Sequence, residues 1–260
     1  MIRIVVVGRG GTGKTSFVAL AARWLCEHGG GPILLVDADP DQSLAEMVGA
    51  DLAAAGVRTI AELLEETFIA GTGTTTGVAP SERIEGRIWE EGLYEGDCFD
   101  LVALGTKWVE GCYCLPDAAL KRALERLVRQ YRYLLIDSPA GLEHLNRRIA
   151  EEVDLIVDLV GASKKSFDHV ARARRVADES GVRYGRFVVA GGYQVDPAME
   201  SLASSTGMPY VGRIVADPDV AAFTLEGRSL FDLPAENPGL ASVGAILEEA
   251  GLAPRTKPYL

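Results

Sequence analysis

Basic charge is what this chain is shortest of: its 260 residues carry 26 Lys+Arg against 37 Asp+Glu, a formal net charge of −11. Such a field repels phosphate except at locally basic or amide-lined spots. It excludes duplex DNA binding through a general basic surface and requires any anion site to be local. Long apolar runs are also absent. The opening Ile2–Val7 stretch is interrupted by Arg3 and closed by Gly8, far short of the ~20 residues a membrane helix needs. It also lacks the length and small-residue cleavage site of a secretory signal. The expectation is a cytoplasmic protein without membrane or nucleic-acid partners. Cysteine is scarce, at four residues (Cys26, Cys98, Cys112 and Cys114). In a reducing compartment these are expected as buried thiols or metal ligands rather than disulfides, with Cys26 in the core and Cys98 open between the two.

What is present is 48% hydrophobic and 24% charged, a content that supplies a full core at this length and excludes disorder and small stapled scaffolds. Ile2–Val7, Ile33–Val36, Phe99–Leu104, Tyr133–Ile136, Leu155–Val160 and Phe187–Ala190 are short apolar runs, as strands buried on both faces require. Thr15–His28, Thr59–Phe68, Ala118–Gln130, Ser166–Ser180 and Pro197–Ser205 read as helices, with Gly30, Gly71 and Gly181 as stops. Alternating β and α predicts a doubly wound α/β fold, a mostly parallel sheet flanked by helices in one domain over 1–260. Gly71–Ser81, rich in Gly and Thr, reads as a surface loop.

The first chemical signal follows the first strand directly: Gly8-Arg9-Gly10-Gly11-Thr12-Gly13-Lys14-Thr15. Its glycines satisfy a dinucleotide GxGxxG, and Asp37 closes the second strand about where that fold places a ribose-binding acid. The same residues also satisfy GxxxxGK[ST], and Lys14-Thr15 decides between the two. A pyrophosphate on a helix N-terminus needs no lysine, whereas a β,γ-phosphate with magnesium needs a cation and a hydroxyl. Gly10, Gly11, Thr12, Gly13, Lys14, Thr15 and Ser16 are therefore expected to hold ATP or ADP, with Thr15 on Mg. The second signal is Asp37-Ala38-Asp39-Pro40-Asp41, carboxylates at the carboxyl edge of the sheet, which read either as turn chemistry or as groups meeting water or magnesium. The third is Leu134-Leu135-Ile136-Asp137-Ser138-Pro139-Ala140-Gly141. There an apolar strand ends in Asp137, placed to hold magnesium through water, and the loop behind it is placed to sense the γ-phosphate.

Together, GRGGTGKT, DADPD and IDSPAG resemble the MinD/ParA/nitrogenase-iron-protein group of dimeric phosphate-loop ATPases. That group carries a second, signature lysine early in the loop, which reaches the nucleotide of the opposite subunit. Arg9 occupies that position here and keeps the charge in a forked form. Within the group, Gly111-Cys112-Tyr113-Cys114, Ala140–Arg148 (AGLEHLNRR) and Leu225–Pro234 (LEGRSLFDLP) resemble the carbon monoxide dehydrogenase maturation ATPases, the CooC family, from residue 2 to about residue 249. The resemblance implies a homodimer closed by ATP that handles nickel for the dehydrogenase. Where related ATPases carry an adenine-reading Asn, this chain has Val188-Val189-Ala190-Gly191-Gly192, which shifts base contacts toward the Asp217-Pro218-Asp219 loop.

Cys112 and Cys114, at i and i+2 of an extended segment, face one way and supply half of a four-ligand site. A two-fold dimer completes it, for Zn or Ni. Under this reading Lys14 binds the β- and γ-phosphates, Asp39 orients the attacking water, and Arg9 stabilises transition-state charge on the partner's nucleotide. His28 is expected to cap carbonyls, His169 to be an ordinary helix residue, and His144 to make a structural bond within the switch loop. Arg147-Arg148 and Lys164-Lys165 are expected as solvated helix ends. Two alternatives use the same loop: a positioning ATPase acting on DNA or membrane, and a nucleotide-dependent reductase with a shared iron–sulfur cluster.

Overall fold

Strand β1 (Ile2–Gly8) sends Ile4 and Val6 to one face of a sheet and Val5 and Val7 to the other, and all four are buried. The computed structural model describes residues 1–39, 41–68, 80–105, 114–139, 152–179 and 181–252. Seven further strands are β2 (Ile33–Asp37), β3 (Tyr94–Glu95), β4 (Phe99–Ala103), β5 (Tyr133–Asp137), β6 (Glu152–Val160), β7 (Arg183–Gly191) and β8 (Tyr210–Arg213). They form one eight-stranded sheet in the order β3-β4-β2-β5-β1-β6-β7-β8, parallel except for the β3–β4 edge pair. A sheet with both faces covered explains why its central strands are unbroken apolar runs.

The first face is covered by α1 (Lys14–Glu27), α2 (Leu44–Val48) and α9 (Pro238–Glu249). The second carries α3 (Ile60–Phe68), α4 (Pro80–Glu91), α5 (Cys114–Val128), α6 (Lys164–Glu179) and α7 (Glu200–Ser204). A last helix, α8 (Pro218–Leu225), follows β8. β1→β2 passes over β5 in one direction and β5→β6 passes over β1 in the other, so the strand order reverses around β1 and β5. The crevice at the carboxyl ends of such strands is where open α/β sheets bind ligands.

All six expected strands are present, and the doubly wound α/β architecture is the one found. Four findings differ from expectation. The short strands β3 and β8 and the helices α2, α4, α8 and α9 extend the pattern. The segment expected as one helix over Pro197–Ser205 is a 3-10 turn, Pro197–Met199, running into α7. Pro80 and Ser81 open α4 instead of closing a loop, while residues 69–79 lie outside the described part. Finally, Cys26 and Cys98 are disulfide-bonded, with Cα atoms 5.8 Å apart, which corrects their reading as free thiols. The last turn of α1 packs over the start of β4, bringing together two cysteines that are 72 residues apart in sequence.

Helix packing on the first face depends on Gly244, where α9 crosses α1. A Cβ there would run into the Trp24 indole, with Cδ1 at 2.6 Å. Gly244→Ala is expected to destabilise the protein by about 1–3 kcal/mol through overpacking. Gly86→Ala is expected to stabilise by about 0.4–1 kcal/mol, because Gly86 is exposed within α4 and a Cβ there meets nothing within 4 Å. Urea denaturation of both variants measures the opposite signs.

Candidate functional site

The loop that leaves β1 is shaped by its neighbours. Gly8 has φ +144°, and a Cβ on it would strike the Leu159 carbonyl of β6. The Thr12 hydroxyl donates to the Arg9 carbonyl at 2.9 Å, which turns that side chain into the loop rather than outward. Gly13 caps α1 in the left-handed region with no side-chain bond. The first helical bond runs from the Phe17 amide to the Gly13 carbonyl at 2.8 Å. The amides before Phe17 therefore lie outside the helical ladder, at the positive end of a 14-residue helix. That is an anion site built from backbone.

Two carboxyl groups stand beside it. Asp37 and Asp137 are paired in register at the ends of β2 and β5, and each follows the alternation that puts Leu35 and Leu135 on the α1 face. Both are buried. Burial, and then the Asp137 charge, push the Asp37 carboxyl up to about 7, against amide bonds from Leu44 and Asp39 that pull it down. Burial raises Asp137 to about 6, opposed by Thr15 and by the Lys14 charge. The Thr15 hydroxyl approaches Asp137 without the geometry of a hydrogen bond, and both Asp137 oxygens are buried with no hydrogen-bond partner among the described residues. An unpartnered buried carboxylate beside a hydroxyl, a lysine and a row of amides has the donor set that a magnesium–phosphate group requires, so the residues fit that ion.

Lys14 is buried, its ammonium 3.5 Å from the Arg9 carbonyl. Asp39 serves two purposes: its Oδ1 accepts from the Asp41 amide at 3.1 Å in a turn, and its side chain lines the cleft. The turn and the cleft wall thus share one residue. Ser16 also lines the cleft, its hydroxyl directed to the Met47 sulfur at 3.7 Å.

The cleft encloses about 930 Å³ between the phosphate loop and the chain from Ile214 to Leu225. Asp217, expected near the base, lines it, but Oδ1 is engaged in capping α8. It accepts from the Asp219 and Val220 amides and from the Asn237 side chain at 2.8 Å. This wall is tied to α1 by the Arg23 guanidinium, buried and donating to the Leu230 carbonyl at 3.0 Å. Arg9 is exposed and is not among the cleft-lining residues. Burial, then Arg172 and Arg9, lower the pKa of His169 on α6, which places the Arg9 charge toward that helix. His28 donates from Nδ1 to the Trp24 carbonyl at 2.7 Å, as its place at a helix end suggested.

Cys112, His144, Arg147 and Arg148 lie outside the described residues, and Cys114 opens α5 with its side chain outside them. Among the described residues no group of three or more His, Cys, Asp and Glu is placed to hold a metal ion, and no helix is long and apolar enough to cross a membrane. Sequence reasoning named the Asp217-Pro218-Asp219 part of the cleft wall but missed Tyr193 and the rest of Val215–Leu225. Asp217-Pro218, an N-cap followed by proline at the first helical position, was the signal that could have found α8.

The raised Asp137 pKa fixes a sign. An unfolded carboxyl ionises near 3.8 and this one near 6, so its charge costs stability fully above about pH 6 and not at all well below pH 4. Asp137→Asn, free of nucleotide, is expected to gain on the order of 2 kcal/mol at pH 8, a gain that fades as pH falls from 6 toward 4. Denaturant melts across that range read it.

No protein-family model matches the chain. An uncharacterized ATP-binding protein of Methanocaldococcus jannaschii is 31% identical, over 95% of this chain and 97% of its own length. The carbon monoxide dehydrogenase accessory protein CooC of Rhodospirillum rubrum is 29% identical, over 96% of this chain and 98% of its own. Among solved structures, the MinD cell division protein of Aquifex aeolicus superposes with a TM-score of 0.66 at 20% identity, covering 99% of this chain and 100% of that one. A ParA family ATPase of Chlorobium tepidum gives 0.69 at 15%, covering 97% and 99%. These structures share the fold, and the M. jannaschii relative fixes the family: the chain belongs with that ATP-binding protein, its fold is the one seen in the MinD and ParA family ATPases, and CooC is among its homologues.

Proposed function

We propose that this ATPase dimerises on ATP and serves as a metallocentre maturation factor, delivering nickel to carbon monoxide dehydrogenase or a related nickel enzyme. The nucleotide half of the reading is carried by Asp137, whose two buried oxygens, beside Lys14 and Thr15, lack hydrogen-bond partners among the described residues. The client half is supported by the near full-length likeness to CooC.

In this reading the amides from Gly10 to Thr15 cradle the phosphates and Lys14 neutralises the β- and γ-phosphate oxygens. Thr15 and, through water, Asp137 hold magnesium, which when bound offsets phosphate charge. Asp39 orients the attacking water from the mouth of the cleft, where it is half-buried. Arg9, exposed and outside its own cleft, contributes its charge to the nucleotide of the second subunit. An aspartate activates water weakly, which makes turnover slow and the closed dimer long-lived. Cys112 and Cys114 donate two thiolates per chain, and the dimer presents four to a zinc or nickel ion.

The role of Arg9 is tested by mixing. Arg9→Ala and Asp39→Ala homodimers are each expected to lose most ATPase activity, with Asp39→Ala remaining dimeric in ATP. A heterodimer of the two keeps one site with both groups intact and is expected to recover up to half of the wild-type rate. No recovery in a mixture shown to contain heterodimers places Arg9 in its own subunit's chemistry.

The metal reading predicts a stoichiometry. Anaerobically purified dimer loaded with zinc or nickel is expected to hold one ion per two chains. Cys112→Ser with Cys114→Ser is expected to lose that ion and weaken the dimer while monomer nucleotide binding stays near normal. Metal analysis with sedimentation measures both, and one ion per chain contradicts a shared site.

A further inference from the structure

The end of β7 is closed to side chains. A Cβ on Gly191 would lie 2.8 Å from Cβ of Arg213 and 3.0 Å from the Tyr210 hydroxyl. A Cβ on Gly192 would strike the Thr12 carbonyl of the phosphate loop and lie 3.2 Å from the Val160 carbonyl. The Gly192 amide donates to the Val160 carbonyl at 2.8 Å, which holds the backbone in place there. Any amide or hydroxyl meant to reach a nucleotide base from this strand end is sterically excluded. Tyr193 is the first position past the strand that can present a side chain.

It does so into the cleft. Its ring lies 3.1 Å from where a Gly13 Cβ would stand, packed on the residue that ends the phosphate loop and starts α1. Its hydroxyl accepts from Nε2 of Gln194 at 3.1 Å, an exposed bond on the rim. Tyr193 is nevertheless 44% exposed, and Leu225 on the facing wall is 89% exposed. Among the described residues these are two of three exposed large apolar side chains, the other being Met1, and both line this one cleft. Apolar surface left open at a pocket marks a ligand surface. With the triphosphate on the loop amides, the nucleoside is left the rest of the cleft, which Tyr193 and the Ile214–Leu225 wall line. The base then passes Tyr193.

We propose that Tyr193 is the stacking platform for the base of the bound nucleotide, taking the place of a side chain at 191 or 192. The inference rests on the nucleotide reading of the cleft, and the two are separated by comparing ATP with inorganic tripolyphosphate, which has no base. Aromatic stacking on a base is worth roughly tenfold or more in affinity.

By calorimetry in magnesium, Tyr193→Ala is expected to weaken ATP about tenfold or more and leave tripolyphosphate unchanged, and Tyr193→Phe is expected to keep both. Equal weakening of the two ligands would mean that Tyr193 only props Gly13, and no weakening of ATP would mean that the base lies elsewhere. Either result overturns the proposal. Should the alanine variant fail to fold, Tyr193→Trp supplies a second reading. Its added emission is expected to change with ATP and not with tripolyphosphate, and an ATP-insensitive signal overturns the proposal. Lys14→Ala is expected to lose both ligands. If it retains both, the nucleotide reading of the cleft fails and the stacking proposal falls with it.

Discussion

Two carboxyl groups that cannot comfortably ionise side by side govern this molecule. Asp37 and Asp137 end adjacent strands in register, on the face that α1 covers, and each is pushed toward neutrality by burial. Asp37 is held by two amides, while the Asp137 oxygens have no geometric hydrogen-bond partner among the described residues. The placement of Lys14 at the first turn of α1 and of Thr15 beside Asp137 answers that imbalance only in part. The free protein thus carries an unfavourable charge arrangement at the crevice of its sheet, with the donor set that a hydrated divalent cation and a polyphosphate require.

Helix α1 connects this centre to the rest of the first face. Its amino end carries the phosphate loop, Arg23 in its middle grips the Leu230 carbonyl behind the α8 wall, Trp24 seats α9 at Gly244, and Cys26 bonds to Cys98 at its far end. Both sides of the cleft therefore hang from one rigid element. Asn237 adds a tie by capping α9 through its oxygen and donating to Asp217, the cap of α8.

The phosphate loop and its acids were legible because their chemistry is contiguous: strand, glycines, Lys14-Thr15, and carboxylates closing apolar runs at Asp37 and Asp137. The opposite wall was not. β8 is four residues long and includes Gly212 at φ +113°, so it carries no strand periodicity. Asp217 was read as a base contact, whereas much of its hydrogen bonding goes to a helix cap, and the following Pro218 already signalled as much. Tyr193 could not be singled out because its meaning depends on how closely Gly192 approaches Thr12, a contact between chain segments 180 residues apart. The Cys26–Cys98 bond was invisible for the same reason, and a compartment argument from cysteine count says nothing about which helix end lands on which strand.

The contacts that make Gly8 and Gly192 obligatory have a consequence for the loop they border. Backbone of β6 and of the β7 end lies directly against the phosphate loop, with no side chains between. The curvature of the loop is therefore cast by the sheet before any ligand arrives, as a mould fixes a casting. Little configurational freedom is left there for a nucleotide to remove on arrival, so the entropy lost on association falls on the nucleotide itself and on whatever closes over it from outside the sheet.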